Sequence, residues 1–289
     1  MTIYAPIYLP DIPPPDVVQA LDYEAITAEI IADFKARWEA VRADNPDLPE
    51  YDVEMLESDP AAILIQAFAY REMLLRSRVN DAARAVMLAS AQGGDLDHLG
   101  ALVNTRRQQG ETDERFRMRI QLAHERYTAA GTEAAYRWHA YDVAPDVADV
   151  GVHRVAPGKV DIIVLAATGS PSKALLASVN DRIQSDRVKP LTDMVSVRQA
   201  RRQTYDVRAQ LEIYRSPERA IVAAEAQKRV SEYAARARRL GESVMRSGLY
   251  AALHTDGVRR VTLTTPGDDI IARHDEAPEI GALTIEIAE

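Results

Sequence analysis

The sequence predicts an α+β protein: a mostly helical N-terminal half with one very long helix, followed by small strand–helix–strand α/β units. Three observations carry this prediction. A helical pattern runs from Pro60 to about residue 92 with start and stop signals at its ends. At Pro145 the character changes, and Val- and Ile-rich runs with partial alternation appear at 147–155 and 160–166. Further helical patterns separate those runs, as expected of small sheets with helices on one face. A length of 289 residues suits one large or two medium domains. The predicted division is an extended proline-rich arm over 1–15, a helical domain over 16–144 contributing to an inter-subunit bundle, and two α+β units over 145–200 and 201–289.

The arm contains Pro6, Pro10, Pro13, Pro14 and Pro15. Proline lacks the backbone donor that a helix needs, so the segment reads as an extended arm or as a tail without fixed structure. From Asp16 to Val41, the side chains of Leu21, Ile26, Ile30, Phe34 and Trp38 share one helix face. Residues 44–52 form a proline-broken loop. Asp59 followed by Pro60 is a helix N-cap with proline at the first helical position. Gly93-Gly94 supplies a left-handed stop. The predicted helix of about 33 residues spans roughly 50 Å, against a mean near 11–12 residues for globular helices. Leu64, Phe68, Leu75, Val79, Ala82 and Val86 form one apolar stripe, and Ile63, Ala67, Tyr70 and Leu74 a second. Arg71, Glu72, Arg76, Arg78, Asp81 and Arg84 lie off the stripes. Two stripes imply more than one packing neighbour, although a long core helix of a single domain also satisfies the pattern.

Asp95 caps a short helix carrying Leu96, Leu99 and Leu102, and a polar loop covers 103–111. Thr112 or Asp113 starts a helix with Phe116, Ile120 and Ala123 inward, and Gly131-Thr132 resets the chain into another helix to about Asp142. Ala156-Pro157-Gly158-Lys159 is a type II turn signal between the first two strands. A helix from Ser170-Pro171 to about Ser185 and a strand from Met194 to Val197 complete the first unit. The second unit opens near Thr204 with a strand holding Val207, Ala209, Leu211 and Ile213. A helix from Ser216-Pro217 to Leu240-Gly241, a helix over 244–254, a strand over 257–264 and a closing strand over 282–287 follow. No residue-level repeat links the two units.

Composition excludes several function classes. The chain is 47% hydrophobic and 27% charged, as ordinary soluble domains are. Its apolar runs, such as Ala61 to Ile65 and Ile162 to Ala167, are far short of a membrane span. Residues 1–10 lack the basic start and apolar stretch of a secretory leader. Cysteine is absent, so there is no disulfide framework and no thiolate metal site. The net charge of −9 is unevenly spread: residues 1–60 hold 14 acidic side chains against Lys35, Arg37 and Arg42. Residues 61–249 hold 29 basic against 22 acidic. A basic middle between acidic ends is complementary within the chain or between copies. The arginine groups, Arg106-Arg107, Arg115/Arg117/Arg119, Arg201-Arg202 and Arg236/Arg238/Arg239, are interspersed with acids. They read as solvated faces or protein contacts rather than a nucleic-acid footprint.

No catalytic constellation stands out, and neither a cofactor nor a metal is expected. The six histidines are scattered, with no pair at i,i+4 spacing. Glu54, Glu57 and Asp59 form the one carboxylate cluster resembling an acid/base pair. Capping accounts for Asp59 and helix-dipole complementation for its neighbours. Asp95, Asp97 and His98 have the same reading at the next helix. No phosphate loop or nucleophile elbow occurs. Arg78, Asn80, Asp81 and Arg84 make a polar cluster on the long helix, read as inter-chain contacts or as an exposed face. Partner contact is therefore assigned to Leu64, Phe68, Leu75, Arg78, Val79, Asn80, Asp81, Ala82, Arg84 and Val86.

The run from Leu56 to Leu102 resembles the baseplate J-like proteins of contractile-tail bacteriophages. Glu111 to Ala123, Arg187 to Val197, Gly257 to Pro266 and the N-terminal Pro15 to Ile26 agree, in the same order. The resemblance implies a structural virion protein of the tail baseplate, assembled in the bacterial host cytoplasm. It implies a wedge subunit in which two copies join one smaller wedge protein, with long helices in a shared bundle. Sheath-initiator and hub-proximal baseplate proteins are the further partners it implies, with no membrane and no nucleic acid. The C-terminal α/β portion would link copies into a ring around the hub that opens on sheath contraction. Two other classes compete: a peptidoglycan-degrading tail enzyme using Glu54, Glu57 and Asp59, and a nucleic-acid-binding module using the arginine-rich middle.

Overall fold

The computed structural model describes residues 7, 9, 12–51, 59–128, 130–214 and 219–288. The expected starts at Ser216-Pro217, the carboxylates Glu54 and Glu57, and most of the arm over 1–11 lie outside these residues. The described chain divides into two compact units, one within residues 7–102 and one within residues 103–289.

The first unit is helical. Helix α1 spans Tyr23–Asp44 and is capped by the Asp22 carboxylate, which accepts from the Ala25 amide. It starts seven residues later than the expected Asp16, because the backbone at Gln19 is engaged elsewhere. Both its amide and its carbonyl bond the side chain of Asn80, at 3.1 and 2.8 Å. Helix α2 spans Pro60–Ala85. Asp59 caps it as expected, with its carboxylate accepting from the Ala61 amide.

The very long helix is not found. α2 has 26 residues and leaves the helical path at Val86, and Gly93-Gly94 opens α3, Gly93–Leu102, instead of closing α2. The stop is made by a side chain. The Ser90 hydroxyl donates to the Arg84 carbonyl at 2.8 Å, while the Ser90 and Ala91 amides turn onto Met87. No glycine or proline marks this end, so the apolar period continued through a turn.

α1 packs on α2 through Ile26 and through the small face Ala62, Ile65 and Ala69, all buried. Alanines at the contact let two backbones approach closely. Phe34 and Trp38 stack edge-on against Tyr51 of the connecting loop.

In the second unit, α4 (Asp113–Leu122) is capped by Thr112 and runs into a 3₁₀ turn at Ala123–Tyr127. α5 (Glu133–Tyr141) is capped by Thr132. Strands β1 (Val147–Ala156), β2 (Lys159–Ala166) and β3 (Met194–Gln199) form a sheet in that order. β1 and β2 are antiparallel, and β2 and β3 parallel across helix α6, Lys173–Gln184. Gly158 at the β1–β2 turn has φ +71°, as a type II turn requires at that position. One sheet face packs Val150, Ile162, Val164 and Val195 against Leu122, Tyr136, Trp138, Val179 and Ile183. The other face, Ile163 and Leu165, is covered by Leu240, Ala200 and Ala277. This sheet is thus covered on both faces, not one, which is why Ile162 to Ala166 reads as a continuous apolar run.

The second sheet centres on β4, Arg201–Ile213, flanked by antiparallel β5, Val258–Thr265, and parallel β6, Glu276–Ile287. Tyr205, Val207, Ala209, Leu211 and Ile213 alternate inward against α7 (Arg219–Ala237) and α8 (Arg246–Leu253). β4 begins three residues before the expected Thr204 and β6 six before Ala282. The two sheets are tied together. The Leu240 amide donates to Asp149 at 2.9 Å, Arg238 donates to the Ala166 carbonyl at 2.8 Å, and Arg198 bridges Asp161 and Asp275 at 3.1 Å each.

Candidate partner surface on helix α2

Three faces can be read around α2. The one carrying Ala62, Ile65, Ala69 and Asn80 is consumed by α1 and the segment before it. Both apolar stripes lie outside that contact. Leu64, Phe68, Leu75 and Val79 are 57, 59, 67 and 54% exposed. Ile63, Tyr70 and Leu74 of the second stripe are exposed as well. Soluble chains scatter single exposed apolar residues, whereas a contiguous row along one helix marks an interaction surface.

The remaining expected contact residues separate. Ala82 is exposed, and Val86 is exposed but beyond the end of the helix. Asp81 and Arg84 form an exposed ion pair at 3.8 Å. Arg78 is exposed and has no ion-pair or hydrogen-bond partner among the described residues. Asn80 departs from its assignment to inter-chain contact: it is buried, and its amide group is occupied by Gln19 of the same chain. A polar residue flanked by exposed ones on a helix reads as surface, and nothing local in the sequence signals a pairing 61 residues away.

Asp59 is bonded to the Ala61 amide and to the Tyr51 hydroxyl, both bonds of structure. Among the described residues no three His, Asp or Glu side chains are grouped to hold a metal ion. No helix among them is long and apolar enough to cross a membrane. His153 and His274 stack face to face, ring centroids 3.7 Å apart, between the two sheets.

Among the arginines expected at solvated faces or protein contacts, Arg119 lies in the core instead. Arg119 is 1% exposed. Its guanidinium binds Glu111 at 2.7 Å and Asp142 at 2.6 Å. Arg115 pairs with the other oxygen of Glu111 and donates to the carbonyls of Tyr141, Ala144 and Val147. Arg115 and Arg119 sit at i and i+4 on one face of α4, and Glu111, just ahead of the Thr112 cap, reaches both. That spacing was the available signal. Beside the cluster, burial and then the Arg182 charge hold the His139 imidazole down at about 4.

Comparison with known proteins agrees with this architecture. Residues 57–112 match the baseplate J-like N-terminal domain, residues 128–199 the baseplate J-like central domain and residues 205–286 the baseplate J-like protein C-terminal domain. The chain is 38% identical over 288 residues to the baseplate protein J of Escherichia phage P2, covering 94% of each. The central and C-terminal matches coincide with the two sheets, and the N-terminal match holds α2 with its exposed stripes. With all three domains matched in order, the chain belongs to the baseplate J-like family.

Proposed function

We propose that this chain is a structural wedge subunit of a contractile-tail baseplate, built into the particle through helix α2. The observation that carries the reading is the pair of exposed apolar stripes on α2, in a chain of the baseplate J-like family. A helix that turns Leu64, Phe68 and Leu75 to solvent while burying alanines against its own neighbour lacks the cover its sequence calls for. A second copy of the chain and a smaller wedge protein supply that cover in a shared bundle. The 103–289 unit links copies into a ring around the hub, next to sheath-initiator and hub-proximal proteins, and the ring opens on contraction. The virion baseplate is the working location, after assembly in the host cytoplasm. An enzymatic reading has no support of comparable weight, because Asp59 is engaged in capping. A nucleic-acid reading is weakened by the pairing of Arg115, Arg119, Arg198 and Arg202 with carboxylates.

The test uses co-expression with the neighbouring tail proteins and native mass spectrometry. Phe68→Glu with Leu75→Glu places charges where the free chain is already open, so circular dichroism and Tm should stay at wild type. The higher-order complex should be lost, since burying an unpaired carboxylate in an apolar contact is strongly unfavourable. A complex recovered at wild-type yield from the double variant refutes the bundle.

A further inference from the structure

The two apolar stripes of α2 are separated by a ridge, and the ridge is charged. At about 100° per residue, the stripe from Leu64 to Ala82 and the stripe from Ile63 to Leu74 are centred roughly 115° apart. Arg71 and Arg78 fall in the gap between them, one heptad apart. Both are exposed, and neither has an ion-pair or hydrogen-bond partner among the described residues. The other arginines of α2 differ: Arg76 pairs with Glu72 and Glu29, and Arg84 with Asp81.

We infer that α2 receives an acidic amphipathic helix, one that lays its apolar seam into a stripe and sets carboxylates seven residues apart against Arg71 and Arg78. The inference rests on the reading of α2 as a bundle helix and names the chemistry of its partner. Charge complementarity selects this occupant. A helix seated in either stripe brings its flanking positions to the ridge, as e and g positions flank a coiled-coil seam. A second α2 lying parallel and in register along the ridge would set Arg71 and Arg78 beside their own counterparts, and like charges at such positions work against pairing. Carboxylates at the same positions neutralise both guanidiniums, and Arg presents a planar fork to each.

The test uses the full chain and two fluorescein-labelled synthetic 28-residue helices of four heptads. Both carry leucine at a and d; one carries glutamate at e and g, the other lysine. Fluorescence anisotropy at 50 mM salt should show the glutamate peptide binding at least tenfold more tightly, with the preference shrinking toward 500 mM salt. In the Arg71→Glu, Arg78→Glu chain, which loses no bond present in the free protein and should keep its Tm, the preference should reverse. Equal binding of the two peptides, no binding of either, or a preference that survives the double reversal overturns the inference. The underlying bundle fails separately, by assembly that persists in the Phe68→Glu, Leu75→Glu chain.

Discussion

His139 is buried beside Asp142, Arg182 and Arg126, and its Nδ1 has no partner among the described residues. Burial and the arginine charges favour the neutral ring, so its folded pKa of about 4 lies below the ordinary 6.5. The unfolded chain therefore takes up this proton first. Stability is fully present above pH 6.5 and is lost as pH falls toward 4, on the order of 1–3 kcal/mol for this group. Thermal melts of wild type and His139→Gln should converge at pH 4.5 relative to their separation at pH 7.5, the variant falling less. Parallel curves across that range refute the assignment. Glu111 is the second residue whose chemistry is fixed by depth. Its carboxylate holds two guanidiniums, one of them fully buried. Glu111→Ala leaves Arg119 with Asp142 and the Arg106 carbonyl and no second carboxylate, and we expect a loss of about 3–5 kcal/mol in chemical denaturation. A loss under 1 kcal/mol would show the cluster to be wet.

At the scale of elements, most of the pattern is local and so was readable. Asp59-Pro60, Thr112, Thr132 and the Pro157-Gly158 turn each act within three or four residues of themselves, and each is where the sequence places it. The end of α2 is different. Ser90 reaches back six residues to a carbonyl, and the apolar period does not stop at the turn. The helix therefore looked longer than it is. The two stripes were visible as periodicity, but periodicity assigns no neighbour to either. That both are exposed, and that a third face of alanines and Ile65 meets α1, follows from packing alone. Glu54 and Glu57 lie outside the described residues, and of the carboxylate cluster Asp59 is seen to cap α2.

Over the whole molecule, the change at Pro145 is a change of secondary structure, whereas the compact units meet at residues 102 and 103. α4 and α5 come before Pro145, yet Leu122, Tyr136, Trp138 and Tyr141 fill half the core under the first sheet. A fragment of residues 103–289 should accordingly unfold cooperatively, and one of residues 145–289 should not, because the latter exposes Val150, Ile162 and Val164. The longer fragment should also self-associate at high concentration if this unit links copies, since ring contacts are individually weak. Circular dichroism melts and sedimentation measure the two outcomes. A cooperative 145–289 fragment refutes the shared core, and a 103–289 fragment that stays monomeric at millimolar concentration counts against the ring contacts.

The sequence by itself determined the α+β class, the caps and turns, the family and the apolar stripes, because short-range backbone chemistry and side-chain period are written locally. Tertiary structure alone decided that Asn80 serves Gln19, that Arg119 lies in the core and that β2 is covered on both faces. The partners of Asn80 and the cover of β2 lie dozens of residues away, those of Arg119 8 and 23 residues away, and burial turns a polar side chain from a solvated group into one whose bonds must be met inside the fold.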